Sequence, residues 1–148
     1  MRWTSFPART GLPEPLSHYT DAVRWGDLVY VSGCVAITAD GQVESPGDVT
    51  GQAELAHKHL GRALRAAGTD FGHVLKVTVF LTRIDDRAAV NEVRQKFFGD
   101  ARPASTLVQV SALVLPECWS RSRRWRAFRR SPVPMLPTVS LIAASALN

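Results

Sequence analysis

Cysteine, histidine, serine and arginine carry most of the chemistry open to a chain of this size, and here their spacing narrows it. Cys34 and Cys118 are the two cysteines. They cannot build a disulfide framework, and neither has a metal-ligand partner at short spacing. His57 and His59 stand two apart in a stretch of helical periodicity, so they point to different faces. They read as surface residues rather than as a metal pair. Ser105 adjoins Thr106, but no histidine motif offers it a base, so a hydrolase triad is not indicated. The cluster Arg121–Arg130 with Trp119 and Trp125 could contact phosphates and stack on bases. Its charge is confined to that region. Residues 1–117 hold 12 Lys/Arg against 13 Asp/Glu, a net of −1, whereas residues 118–148 hold six arginines and no acid. The part of the chain that can build a core therefore gives no electrostatic case for nucleic acid, and no metal or cofactor is expected.

Several elements must position these side chains. Apolar runs on either side of Trp25-Gly26-Asp27, from Ala22 to Val35, predict a β-hairpin. A turn follows at Ala39-Asp40-Gly41-Gln42, and Asp48 is a plausible N-cap. Ala56, Leu60, Ala63, Leu64 and Ala67 fall at helical spacing, with Gly68 placed to end the helix. The β-branched stretch between His73 and Ile84 predicts a buried strand. Asp85 and Asp86 open a second helix, whose apolar face is Val90, Val93 and Phe97 and whose end is Gly99. Thr106 to Leu113 is expected as another strand. The order β-β-α-β-α-β, with one further strand expected, points to an α+β layer architecture. Two helices would cover one face of a mostly antiparallel sheet.

At 148 residues, 45% hydrophobic and 21% charged, the chain fits one globular domain. The first seven residues lack the apolar run of a signal peptide. Met135 to Leu147 is apolar but interrupted by Pro137, and too short for a span of about 20 residues. The expected setting is the cytoplasm, with no membrane partner.

Five segments, taken together and in order, resemble the RidA/YjgF family. They are Ser17-His18-Tyr19-Thr20-Asp21-Ala22-Val23, Gly26-Asp27-Leu28-Val29-Tyr30-Val31-Ser32-Gly33, Val77-Thr78-Val79-Phe80-Leu81-Thr82, Ala89-Val90-Asn91-Glu92-Val93 with Phe97-Phe98, and Arg102-Pro103-Ala104 through Val110. The resemblance runs from about Leu12 to Glu117. It implies a chorismate-mutase-like fold and a homotrimer with clefts between subunits. It also implies hydrolysis of reactive imines and enamines, without a cofactor. Carried over by motif, Tyr19, Ser32, Gly33 and Asn91 lie in or near the cleft, and Ser105, Thr106 and Leu107 form the wall that meets the substrate carboxylate.

Two departures bear on activity, and no catalytic residue can be named from the motifs. Deaminating members carry an arginine where Ser105 stands, and its planar fork grips the carboxylate in bidentate fashion. A serine hydroxyl supplies one neutral donor. Losing a charge-assisted contact costs on the order of 1.5–3 kcal/mol per bond. This leaves three readings: an imine or enamine deaminase, a family ligand-binding protein without that activity, and the older label of ribonuclease and translation inhibitor. The last is the weakest on charge.

The second departure follows Glu117. The family ends with a strand of the pattern Leu-Val-Glu-Val-Glu-Ala-Val-Ala, whose second glutamate is thought to position the hydrolytic water. Here the chain reads Cys118-Trp119-Ser120-Arg121-Ser122-Arg123-Arg124-Trp125-Arg126. Those residues can be encoded TGC TGG TCG AGG TCG AGG CGG TGG CGC. Read from the third base, the same letters give CTG GTC GAG GTC GAG GCG GTG GCG, which is the family strand. Tryptophan has a single codon, so part of this frame is fixed, while the serine and arginine codons are assumed. The expected organisation is therefore a RidA/YjgF-like domain over residues 1–117 and an out-of-frame, disordered basic tail over 118–148, with the last strand missing.

Overall fold

The computed structural model describes residues 4–6 and 15–115, and the backbone pairing of residues 126–128. Three strands come first: β1 (Thr4–Phe6), β2 (Ala22–Trp25) and β3 (Leu28–Val31). The helix α1 (Val49–Ala66) follows, then β4 (Lys76–Leu81), α2 (Arg87–Phe98) and β5 (Ala104–Gln109). Backbone alone defines β6 (Arg126–Phe128). The α+β class and the two helices are as expected.

The hairpin forms where the turn chemistry placed it, with Trp25 opposite Leu28 and Ala22 opposite Val31. Gly26 takes a φ of 60° at its tip, a value that favours glycine. The Asp48 side chain accepts from the Thr50 amide and caps α1, and Gly68 follows its end at φ 80°.

Pairing divides the strands into two sheets, one ordered β1-β2-β3-β6 and antiparallel, the other β4-β5 and parallel. Thus β4, α2 and β5 form a β-α-β crossover, the connection that parallel neighbours require. Val29 and Val31 of β3 and Val77, Val79 and Leu81 of β4 share one core with Leu60 and Leu64 of α1 and Val90 and Val93 of α2. Among the described strands, however, no ladder joins β3 to β4.

Three expectations shift. The strand expected over Thr106–Leu113 starts earlier and ends earlier, because its register with β4 runs from Lys76 opposite Ala104 to Leu81 opposite Gln109. Phe98 rather than Phe97 is the buried aromatic of α2, and Phe97 packs at the core margin. His57 and His59 are both buried, at 0% and 5% exposure, not on the surface. They do lie on different faces, but both faces of α1 are covered: His57 stacks on Phe97 at 5.0 Å, and His59 Nδ1 lies 3.0 Å from the Val35 carbonyl. The tail expected from residue 118 lies outside the described residues, apart from Arg126–Phe128, which pairs antiparallel with β3.

Gly99 ends α2 at φ 55° and ψ −124°, a combination reserved for glycine. A Cβ there would meet no atom within 4 Å, so a substitution acts through the backbone alone. Gly99→Ala is expected to destabilise the protein by about 1–3 kcal/mol, read from the urea midpoint. An unchanged midpoint would mean the turn relaxes at no cost.

Candidate functional site

The motif residues fall into two neighbourhoods. In the first, the chain leaving β3 passes beside the segment that enters β2. The Ser32 hydroxyl donates to the Thr20 carbonyl at 2.5 Å, and the Ser32 amide donates to the Asp21 carbonyl at 2.7 Å. Tyr19, Ser32, Gly33, Cys34 and His59 surround a cavity of about 30 Å³. That volume suits a water molecule rather than a metabolite. Tyr19 is half exposed at 39%, and its phenol oxygen accepts from the Leu16 amide. Burial, and then the negative charge of Asp21, push the Cys34 thiol up to about 12. Cys34 is buried, its Sγ donates to the Ser32 carbonyl at 3.6 Å, and it acts as a small core residue rather than a nucleophile. Burial also lowers the pKa of His59, which favours a neutral ring beside this cavity.

The second neighbourhood lies where α2 faces the start of β5. Strand alternation sends Ser105 and Leu107 to the helix side and Thr106 to the other. Leu107 packs on the core margin, while Thr106 accepts a hydrogen bond from the Lys76 ammonium. On the helix side Arg94 Nη2 donates to Ser105 Oγ at 3.1 Å. An open cleft of about 490 Å³ adjoins this pair, lined among others by Asn91, Arg94, Phe98, Gly99 and Arg102. A cleft of that size accommodates a small metabolite. Asn91 and Arg94 are three apart on α2 and share a face.

The structure thus brings Asn91 to the same cleft as the residue that touches Ser105. Tyr19, Ser32 and Gly33 lie around the separate small cavity, and Thr106 lies across the sheet. Motif reading missed Arg94. The signal was present in the i, i+3 spacing from Asn91, but attention to position 105 left the reach of a guanidinium from a neighbouring helix out of account. Among the described residues no cluster of His, Cys, Asp and Glu could hold a metal ion, and no helix is long and apolar enough to cross a membrane.

Comparison with known proteins extends this geometry. The family model described as Endoribonuclease L-PSP matches residues 10–118. The mouse protein named 2-iminobutanoate/2-iminopropanoate deaminase is 38% identical over 104 residues, covering 70% of this chain and 77% of the mouse protein. Among solved structures, a yeast protein, YEO7, superposes with a TM-score of 0.80 at 26% identity, over 87% of this chain and all of the yeast chain. Escherichia coli TdcF, solved with bound serine, gives a TM-score of 0.71 at 30% identity, over 80% of this chain and 93% of TdcF.

Proposed function

The chain belongs to the Endoribonuclease L-PSP family, that of the RidA/YjgF proteins, and on that premise we propose that it receives a small imine or enamine for hydrolytic deamination. The observation that carries this reading is the cleft of about 490 Å³ that holds Asn91 and adjoins Ser105, two positions singled out by motif. The reaction adds water across the C=N bond of the imine, and the carbinolamine so formed expels ammonia to leave a ketone. Such a step needs a base to take a proton from water.

In this reading the base is a glutamate of the last family strand, which the chain lacks as written, and residues after Glu117 are out of frame. Support comes from the family match, which ends at residue 118. A homotrimer with inter-subunit clefts is part of the same reading. Its support is the exposure of Tyr19, Trp25 and Val108, large apolar side chains that a partner subunit would cover. A cytoplasmic setting accords with a sequence of two cysteines, too few for a disulfide framework.

A second reading, a ligand-binding protein without deaminase activity, is favoured by Ser105 and by the missing glutamate. The two separate cleanly. The frame-restored chain, with Leu-Val-Glu-Val-Glu-Ala-Val-Ala in place of residues 118–126, is expected to release ammonia from freshly generated 2-iminobutanoate. Its rate should exceed that of the chain as written by at least about tenfold, within the range of a positioned general base. Binding without ammonia release from either chain would favour the second reading and overturn the first. Ribonuclease activity is not adopted, since residues 1–117 carry a net charge of −1.

A further inference from the structure

We infer that Arg94 of α2 is the anion anchor of the cleft, holding the carboxylate of the ligand from the helix side of the wall that Ser105 begins. This deepens the imine reading and rests on it for the identity of the ligand. Three observations carry it. Arg94 reaches Ser105 Oγ at 3.1 Å through Nη2. A guanidinium thus stands beside a position whose own side chain has no charge. Arg94 also lines the cleft together with Asn91 and Arg102, so a cation is presented where a ligand can enter. Finally, among the described residues Arg94 has no carboxylate partner, and its buried Nε has no hydrogen-bond acceptor.

A guanidinium offers five N–H donors in a fork that matches a carboxylate. One of these is committed to Ser105, and the buried Nε is left with its hydrogen-bonding capacity unmet. An arginine held in place without a counter-ion is suited to a ligand that supplies one. Ser105 then acts as a positioning residue, fixing the guanidinium plane through one hydrogen bond. His57 lies close enough to Arg94 to feel its charge, and its neutrality leaves Arg94 without a competing cation on that side. The ligand class is a small 2-imino or 2-enamino acid, or the matching 2-oxo acid product, with an ionised carboxylate.

The test is titration of the purified full chain with 2-oxobutanoate and with 2-oxobutanamide, which keeps the shape and loses the charge, followed by NMR. The unsubstituted chain is expected to bind the acid, and Arg94→Met to weaken that binding at least tenfold while leaving the amide unchanged. Arg94→Lys is expected to retain part of the affinity, because it keeps the charge and loses the fork. Ser105→Ala is expected to produce a smaller loss than Arg94→Met. Equal weakening of acid and amide by Arg94→Met would assign Arg94 a structural role only and overturn the inference. So would undiminished acid binding, or no acid binding by the unsubstituted chain.

The same series in the frame-restored chain provides a second measurement that does not depend on the stability of the tail as written. It also keeps the two proposals apart. Arg94-dependent binding without ammonia release leaves the anchor standing and the deaminase reading fallen. Ammonia release with an unchanged KM in Arg94→Met does the reverse.

Discussion

Replacing residues 118–126 with Leu-Val-Glu-Val-Glu-Ala-Val-Ala is expected to raise the free energy of unfolding by several kcal/mol and to give a soluble trimer. The chain as written is expected to fold with a lower urea midpoint and a broader transition, and to aggregate as its concentration rises. Burying a Leu or Val side chain contributes about 1.5–3 kcal/mol each. Several together approach the whole stability of a domain, about 5–15 kcal/mol. The place for them is indicated by the fold: β3 and β4 close one core, but no ladder among the described strands unites them. Among the described residues β3 pairs beyond the hairpin with Arg126–Phe128, and β4 has β5 as its one partner strand. An edge of this kind is a template for association with other chains. Sedimentation and urea unfolding of both chains decide the matter. A monodisperse trimer with cooperative unfolding from the chain as written would overturn the out-of-frame reading.

The second large effect is a loss of stability in mild acid, centred on His57. Its ring is fully buried, stacked on Phe97 at 5.0 Å and edge-on to Phe98 at 6.2 Å. Nδ1 lies 2.7 Å from the Ala53 carbonyl and so carries the proton of the neutral ring, while Nε2 has no partner among the described residues. Burial is the main cause that drives its pKa down from 6.5 to about 3, and the nearby charge of Arg94 adds to the shift. The folded value lies below the unfolded one, so this contribution is fully present above about pH 6.5 and is lost as pH falls toward 3. Between pH 7.5 and 4.5 the loss from this residue alone is about 2–3 kcal/mol, at about 1.4 kcal/mol per pH unit.

His59 shifts in the same direction through burial. Asp86, whose carboxyl is raised by burial, runs the opposite way, and only through the carboxylate range. His57→Phe is expected to flatten the dependence, since the Ala53 carbonyl keeps the helical amide of residue 57 as donor. Equal acid sensitivity in His57→Phe, measured by urea midpoints at the two pH values, would assign the effect to other groups.

Much of the fold was legible because local chemistry and burial agree. Ala56, Leu60, Ala63 and Leu64 repeat at helical spacing and are all buried, and Gly68 and Gly99 mark the two helix ends they were expected to mark. Trp25-Gly26-Asp27 needed only turn chemistry. The two histidines were misplaced because periodicity says which residues share a face, not how many faces a neighbour covers. The parallel pairing of β4 with β5 was equally out of reach, since it depends on how α2 returns the chain rather than on either strand. At the candidate site, motif matching located Asn91 and Ser105, which need only their positions in the chain. Arg94 needed the distance between two elements, and that exists only once α2 is packed against the sheet.

The β-α-β crossover has a bearing on when each part of the molecule takes shape. Residues from Lys76 to Gln109 make their pairings within one contiguous stretch, and the hairpin within a shorter one. Loop closure is easier for such nearby partners, and units of local contacts form early. The partner of β3 beyond the hairpin is nearly a hundred residues downstream and leaves the ribosome after both. A nascent chain therefore holds two finished halves before it can make the pairing that follows them. An alteration confined to residues 118–126 leaves those early events intact, and its damage falls on the pairing that comes after them.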